Sequence, residues 1–263
     1  MSISFIDEAP QIIKDYLFYM QTVKGKSQKT VDEYYIDLRT FFRFIKLQRG
    51  LVPNDSEFEN ISISDVDLEL VKTVTLNDAY EFMNYIQRER KNQNVTRARK
   101  CSSLKGYFNY LATKKCVLDS NPVEQLEVPK KKKSLPKYLT LEQSLELLNA
   151  VDGDYKERDY CILTLFLNCG LRVSEMASLN YTDIHRDDTM RVVGKGNKER
   201  ILPVPARLAA TLRKRTGVWL FPGDVQGHCG VDYVAKRIKT VTGYPSHSLR
   251  RRFATCVYYR NGC

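Results

Sequence analysis

Histidine and tryptophan are scarce in this chain of 263 residues, which has three of the first and one of the second. His185, His228 and His247 are not clustered with cysteines at zinc-ligand spacing, so a structural zinc site does not organise the fold. The seven cysteines are an odd number with no CxxC pair, which argues against a disulfide framework. Cys161 and Cys169 sit in apolar stretches, the use made of reduced cysteine as a small hydrophobe. The longest strongly apolar run, "CILTLFLNCGL", is too short to cross a bilayer. The opening "MSISFIDEAP" is acidic early and lacks the apolar core of a signal peptide. These absences point to a cytoplasmic protein. No carboxylates cluster in the pattern that holds a divalent metal, so no metal is expected.

Positive charge is abundant instead. Lysine and arginine number 42 against 31 acids, a formal charge of +11, and a protein this basic most often meets a polyanion. Nucleic acid is the expected partner. Hydrophobic residues make up 43%, enough for packed cores, so disorder is a poor description of the whole.

The first half has helical periodicity. "APQIIKDYLFYMQTVK" sets Ile12, Ile13, Tyr16, Leu17 and Met20 on one stripe. "GKSQKT" breaks the chain, with Ser27 placed to cap the next helix. That helix carries Val31, Tyr34, Leu38, Phe41, Phe42 and Ile45 inward. "VPNDSEFENISISD" reads as a polar loop, followed by a helix from Thr75 or Asn77 and another with Cys101, Leu104, Phe108 and Leu111 as its buried edge. The spacing predicts a four-helix domain over residues 1–128. Its cations are unevenly spread: Lys24, Lys26 and Lys29 surround one helix start, and Arg97, Arg99, Lys100 and Lys105 lie on another helix. Ser27, Thr30, Thr96, Ser102 and Ser103 accompany them. Short donors and cations of this kind suit DNA phosphates. For any one of these residues a solvated charged face is an equal alternative.

"VPKKKKSLPKYL" brackets a lysine run, including Lys131 and Lys132, with prolines. It reads as a linker over 129–137 that crosses a phosphate-rich surface, or as a generic soluble linker. Over 138–263 the character changes. Thr140 with Gln143 forms a capping box, Gly170 ends a buried helix, and "LRVSEMASL" starts a short one. "TMRVVGKGNKERILPVP" reads as a β-hairpin. Three helices follow, the first with Pro205 in its opening turn and the last beginning near Pro245 or Ser246. The expected fold class is mainly α with a small β-sheet.

"GLRVSE", "GKGNKER" and "HSLRRRFAT" stand in this order behind a helical domain. As a set they resemble the tyrosine recombinase (phage integrase) family, particularly its Xer-like members and mobile-element integrases. The resemblance spans nearly the whole chain. It implies an N-terminal helical core-binding (SAM-like) domain and a C-terminal α+β catalytic domain. It implies that Arg172 is the first catalytic arginine, Glu175 the acid that braces it, Lys195 the hairpin lysine, and His247 with Arg250 the HxxR pair. The implied activity is site-specific recombination of double-stranded DNA through a 3′-phosphotyrosine, without a cofactor. In full-length relatives it implies a tetrameric synapse that exchanges strands through a Holliday junction.

The chemistry of these residues is coherent. Attack on a phosphodiester builds negative charge on the non-bridging oxygens, and Arg172 and Arg250 can each fork onto them. Preorganised cations are the largest expected catalytic contribution. A hairpin lysine can protonate the leaving 5′-oxygen, and His247, three residues before Arg250 on one helix face, can shuttle a proton. Taken singly, Arg172 and Glu175 could be a surface pair, Lys195 a solvated turn lysine, and His247 a helix-start residue. His185 and His228 read as loop or surface residues, and Arg251 and Arg252 as DNA-contacting or solvated. Tyr258, eight residues past Arg250, lies about 12 Å further along a continuous helix, too far to attack a phosphate held there. Tyr258 and Tyr259 therefore read as packing residues. In the family, the nucleophile follows HxxR by a few tens of residues. The expectation is a chain that holds the phosphate-activating half of a site without its attacking tyrosine, either a fragment or a catalytically inactive DNA-binding relative.

Overall fold

A computed structural model describes residues 8–127, 139–194, 196–214, 217–225 and 227–260, with the backbone alone at 224–225 and 254–260. The chain divides into two compact units, Met1–Lys133 and Ser134–Cys263. The expected linker, 129–137, with Lys131 and Lys132, lies wholly outside the described residues.

In the first unit, α1 (Gln11–Thr22), α2 (Gln28–Gln48), α3 (Leu68–Lys72), α4 (Leu76–Arg88) and α5 (Asn94–Thr113) surround one core. Ile13, Leu17, Leu38, Phe41, Phe42, Phe82, Leu104 and Phe108 are buried in it. The Phe41 ring meets Phe42 and Phe82 edge-on at 5.3 and 5.2 Å, a favourable geometry for aromatic quadrupoles. Tyr35 rather than Tyr34 is the fully buried tyrosine of α2. Tyr34 packs at the core's margin.

The polar loop after α2 is more ordered than its composition suggests. It holds a 3-10 turn at Phe58–Asn60 and buries Ile61, Ile63 and Val66. Arg43 Nε donates to the Ile61 carbonyl at 2.8 Å, and Lys46 Nζ to that of Ser62 at 2.9 Å, so α2 supplies the bonds that the loop backbone lacks. α3 was not expected. Asp67 caps it by accepting from the Leu70 N–H, and Thr75 with Asp78 forms the capping box that starts α4. Ser27 precedes α2, but its hydroxyl pairs with that of Thr30 and caps no backbone N–H.

The second unit comprises α6 (Leu141–Asn149), α7 (Lys156–Cys169), α8 (Val173–Ala177), β1 (Thr189–Val193), β2 (Glu199–Pro203), α9 (Ala206–Arg213), β3 (Pro222–Val225), α10 (Val231–Thr242) and α11 (Ser246–Arg260). The strands β1 and β2 pair antiparallel, with Val192 opposite Arg200, and form the hairpin predicted from sequence. The fold is therefore mainly helical with a small two-stranded sheet. β3 was not foreseen; Pro222 forms a β-bridge with His228, and the Cys229 N–H donates to the Phe221 carbonyl at 2.9 Å.

α7 is the core helix of this unit, with Ile162, Leu163, Leu165 and Phe166 buried. It ends at Gly170, where φ is +60°. A β-carbon there would lie 2.2 Å from the Phe253 ring of α11. Glycine serves twice at this position: it permits the left-handed turn, and it lets α11 approach. Leu171 is then buried, and the chain emerges at Arg172 with its side chain toward solvent.

Candidate active site

α8 opens at Arg172, and Glu175 folds back to accept the Arg172 backbone N–H at 2.7 Å. The Glu175 side chain is only 2% exposed. An ionised carboxylate so enclosed requires partners, and two arginines supply them. Arg172 Nη1 donates to Oε1 at 2.6 Å. From β2, Arg200 forks onto the same carboxylate, Nη1 to Oε1 at 2.9 Å and Nη2 to Oε2 at 2.7 Å. Burial works to raise the Glu175 pKa. The hydrogen bonds from Arg200, then those from Arg172, outweigh it and hold the carboxyl at about 2. Glu175 is thus a shared, buried anchor and not one half of a surface pair.

Arg250, half-buried on α11, joins this group electrostatically. Its pKa is lowered, first by burial and then by repulsion from Arg172; Glu175 attracts it, and Arg200 adds further repulsion. Two guanidiniums thus bond the carboxylate and a third, Arg250, lies within electrostatic reach of them, so the group carries two positive charges in excess. The beginning of the hairpin turn lies against the same group. Gly194 donates its N–H to the Lys198 carbonyl at 2.8 Å, and a β-carbon on Gly194 would stand 3.2 Å from Glu175 Oε1 and 3.3 Å from Arg200 Nη1. Gly196 and Asn197 take positive φ in the turn. Lys195 lies outside the described residues. His247 is exposed in the first turn of α11, three residues before Arg250.

The two halves of the chain match two family profiles: "Phage integrase, N-terminal SAM-like domain" over residues 13–115 and "Phage integrase family" over 137–262. A tyrosine recombinase XerC of Caldanaerobacter subterraneus is 49% identical over 193 residues, covering 73% of this chain and 54% of its own length. A tyrosine recombinase XerC of Syntrophus aciditrophicus is 30% identical over 271 residues, covering 93% of this chain and 83% of its own. The chain belongs to the tyrosine recombinase family. Among solved structures, a lambda integrase dimer bound to a COC' core site matches with a TM-score of 0.67 at 17% identity, over 95% of this chain and 89% of that one. A lambda integrase tetramer bound to a Holliday junction matches at 0.65 and 15% identity, over 95% and 73%. These likenesses show the shared fold. The chain spans little more than half the length of the Caldanaerobacter recombinase.

The expected DNA-facing residues of this recombinase unit fall into two groups. Lys26, Ser27 and Lys29 are exposed before and within the first turn of α2, with Thr30 half-buried beside them. On α5 the cations are largely engaged within the protein. Arg97 bonds Gln87 and, at 2.7 Å, Asn94; Thr96 beside it is half-buried. Arg99 pairs with Asp37 at 2.7 Å and Glu33 at 2.8 Å. Lys100 is a correction to the expectation: it is buried, 5% exposed, with Nζ on Asp37 at 2.9 Å. Asp37 also accepts from Ser103 at 2.6 Å, so Lys100 and Ser103 help fasten α5 to α2 and are withdrawn from any phosphate.

His185 bonds Thr189, and His228 bonds the Cys229 carbonyl beside Trp219, as expected of loop histidines. Arg200 is the site residue that sequence reasoning passed over, although it stands inside "GKGNKER". Its signal was an arginine within a strand, opposite the buried Val192.

Proposed function

We propose that this chain is the DNA-handling part of a site-specific recombinase, in which Arg172 and Arg250 grip one backbone phosphate. The observation that carries this reading is the pair Arg172 and Arg200 on the buried Glu175, with Arg250 in electrostatic reach and two positive charges in excess, in a chain of the tyrosine recombinase family. Such a cluster stabilises the charge that grows on non-bridging oxygens during phosphoryl transfer. Glu175 holds the Arg172 head in place before substrate arrives, and Arg250 approaches from a different helix. Lys195 would protonate the leaving 5′-oxygen, and His247 would move the proton of the attacking hydroxyl.

The attacking tyrosine, in this reading, is neither Tyr258 nor Tyr259. The α11 backbone runs continuously from Ser246 to Arg260 and carries both with Arg250 on one rod. Tyr258 is thereby about 12 Å along the axis from Arg250, beyond in-line reach of a phosphate held by that guanidinium. The reaction would proceed through a 3′-phosphotyrosine, with double-stranded DNA as substrate and a tetrameric synapse as the working assembly. The matching lambda integrase tetramer on a Holliday junction supports that assembly by analogy of fold.

Binding to a DNA duplex of varied salt tests the reading. Exposed lysines at α2 and the arginine cluster predict an affinity that falls steeply with salt, as release of condensed counterions requires. A flat response would refute it. A nicked suicide duplex should be retained without forming a covalent protein–DNA adduct. An adduct mapping to Tyr258 or Tyr259 would overturn the assignment of the nucleophile.

A further inference from the structure

Glu175 has four hydrogen bonds on two oxygens. Oε1 accepts Arg172 Nη1 and Arg200 Nη1, while Oε2 accepts the Arg172 backbone N–H and Arg200 Nη2. A carboxylate offers about four lone-pair sites, so this one is filled. The two arginines use it unequally. Arg200 spends both terminal nitrogens on Glu175, whereas Arg172 spends one.

We infer that Arg200 is a positioning residue for the phosphate site: by saturating Glu175 it stops that carboxylate from taking Arg172 in a two-pronged fork, and so keeps the outer edge of the Arg172 guanidinium free for a phosphate. The inference rests on the reading of Arg172 and Arg250 as the phosphate grip. Arg200 does not touch the phosphate in this scheme. It acts through Glu175, and its hydrogen bonds are the largest influence lowering that residue's pKa. Its charge also raises the excess of the cluster from one positive charge to two, since Glu175 alone would cancel Arg172 and leave only Arg250. Without Arg200, Arg172 would swing onto Oε2, the favoured bidentate geometry for an arginine and a carboxylate, and present a neutralised pair to the anion.

The position of Arg200 suits this task. It lies on β2 opposite Val192, a register fixed by five paired positions between the strands. The hairpin therefore delivers the guanidinium as part of a rigid element and not on a free loop. Gly194 is close enough to Glu175 and Arg200 that a side chain there would push against both. The lack of a side chain at Gly194 lets the hairpin settle onto the carboxylate.

The test uses the full chain labelled with 15N, with the arginine Nε–H signals followed as inorganic phosphate is added. In the unmodified protein, phosphate should shift the signals of Arg172 and Arg250. If neither moves, the phosphate grip itself fails, and that outcome is distinct from failure of the inference about Arg200. Arg200→Gln should weaken phosphate binding about tenfold, the order of one charge-assisted hydrogen bond. In a Glu175→Gln background the same substitution should change affinity less than about twofold, because a neutral amide no longer competes for Arg172. An unaltered affinity in Arg200→Gln would refute the inference. A loss of equal size in both backgrounds would also refute it, since Arg200 would then be holding phosphate directly. If Arg200→Gln does not fold, Arg200→Lys serves in its place. Lysine keeps the charge but loses the planar two-pronged geometry of a guanidinium, so a weaker loss is expected, again abolished by Glu175→Gln; no loss, or one that persists, would refute the inference.

Discussion

Replacing Lys100 with methionine separates a structural lysine from a DNA-binding one. The substitution keeps the length of the aliphatic stem and removes the ammonium. In the folded protein that ammonium is buried and sits 2.9 Å from Asp37, whose carboxylate is completely enclosed. Breaking a buried ion pair by removing one partner costs about 3–5 kcal/mol. Asp37 keeps Arg99 at 2.7 Å and Ser103 at 2.6 Å, so the loss should fall at or below the lower end, about 2–3 kcal/mol. With a urea dependence of about 1–3 kcal/mol per molar, the unfolding midpoint of the first unit should drop by about 1–2 M. DNA affinity, measured at a temperature and salt where the variant is folded, should stay within about twofold. The slope of log affinity against log salt should not change. A phosphate-contacting lysine behaves in the opposite way: its loss reduces the slope by about 0.9 and costs little stability. That second pattern would refute the placement of Lys100 as a fastening between α2 and α5.

Two further outcomes follow from the second unit. The Glu175 pKa is depressed from 4.5 to about 2, so its contribution to stability is full above pH 4.5 and is lost as pH falls toward 2. Allowing for the solvent that reaches Arg172 and Arg200, the contribution is about 2 kcal/mol; acid unfolding curves of the protein and of Glu175→Gln should converge across that window, and parallel curves would show that Glu175 is not held ionised. Gly170→Ala should destabilise this unit by about 2 kcal/mol or more, through a left-handed φ and a clash with the Phe253 ring, read as a lower thermal midpoint; an unchanged midpoint would mean that α11 does not pack against the end of α7.

Local signals made the larger elements legible. The stripes of α1, α2, α4 and α5, the helix start at Thr75, the capping box at Thr140, the glycine stop at Gly170 and the hairpin over 189–203 all follow from residues within a few positions of each other. α3 escaped because five residues are too few to show a helical period. The choice of Tyr34 over Tyr35 failed because the two are adjacent at the edge of a helical stripe, where rotation by one position decides burial. Lys100 was misplaced because its partner, Asp37, is 63 residues away. Charge at a helix start looks the same in sequence whether it faces solvent or a buried aspartate.

The site shows the same division. Arg172, Glu175 and Arg250 could be picked out by their motifs, and the structure brings them into mutual electrostatic reach. The part that motifs did not show is the sharing of Glu175. Arg200 lies 25 residues from it in sequence, and only the folded hairpin makes them partners. The motif containing Arg200 drew attention to its lysine, while the arginine five residues on makes the contact with Glu175.

Tungstate, a tetrahedral anion visible through its anomalous scattering, probes the grip most directly. In crystals of the chain soaked with tungstate, a single tungsten peak should appear within hydrogen-bonding reach of both Arg172 and Arg250. Separate peaks at the two arginines, or none near either at saturating tungstate, would contradict the claim that they close on one phosphate.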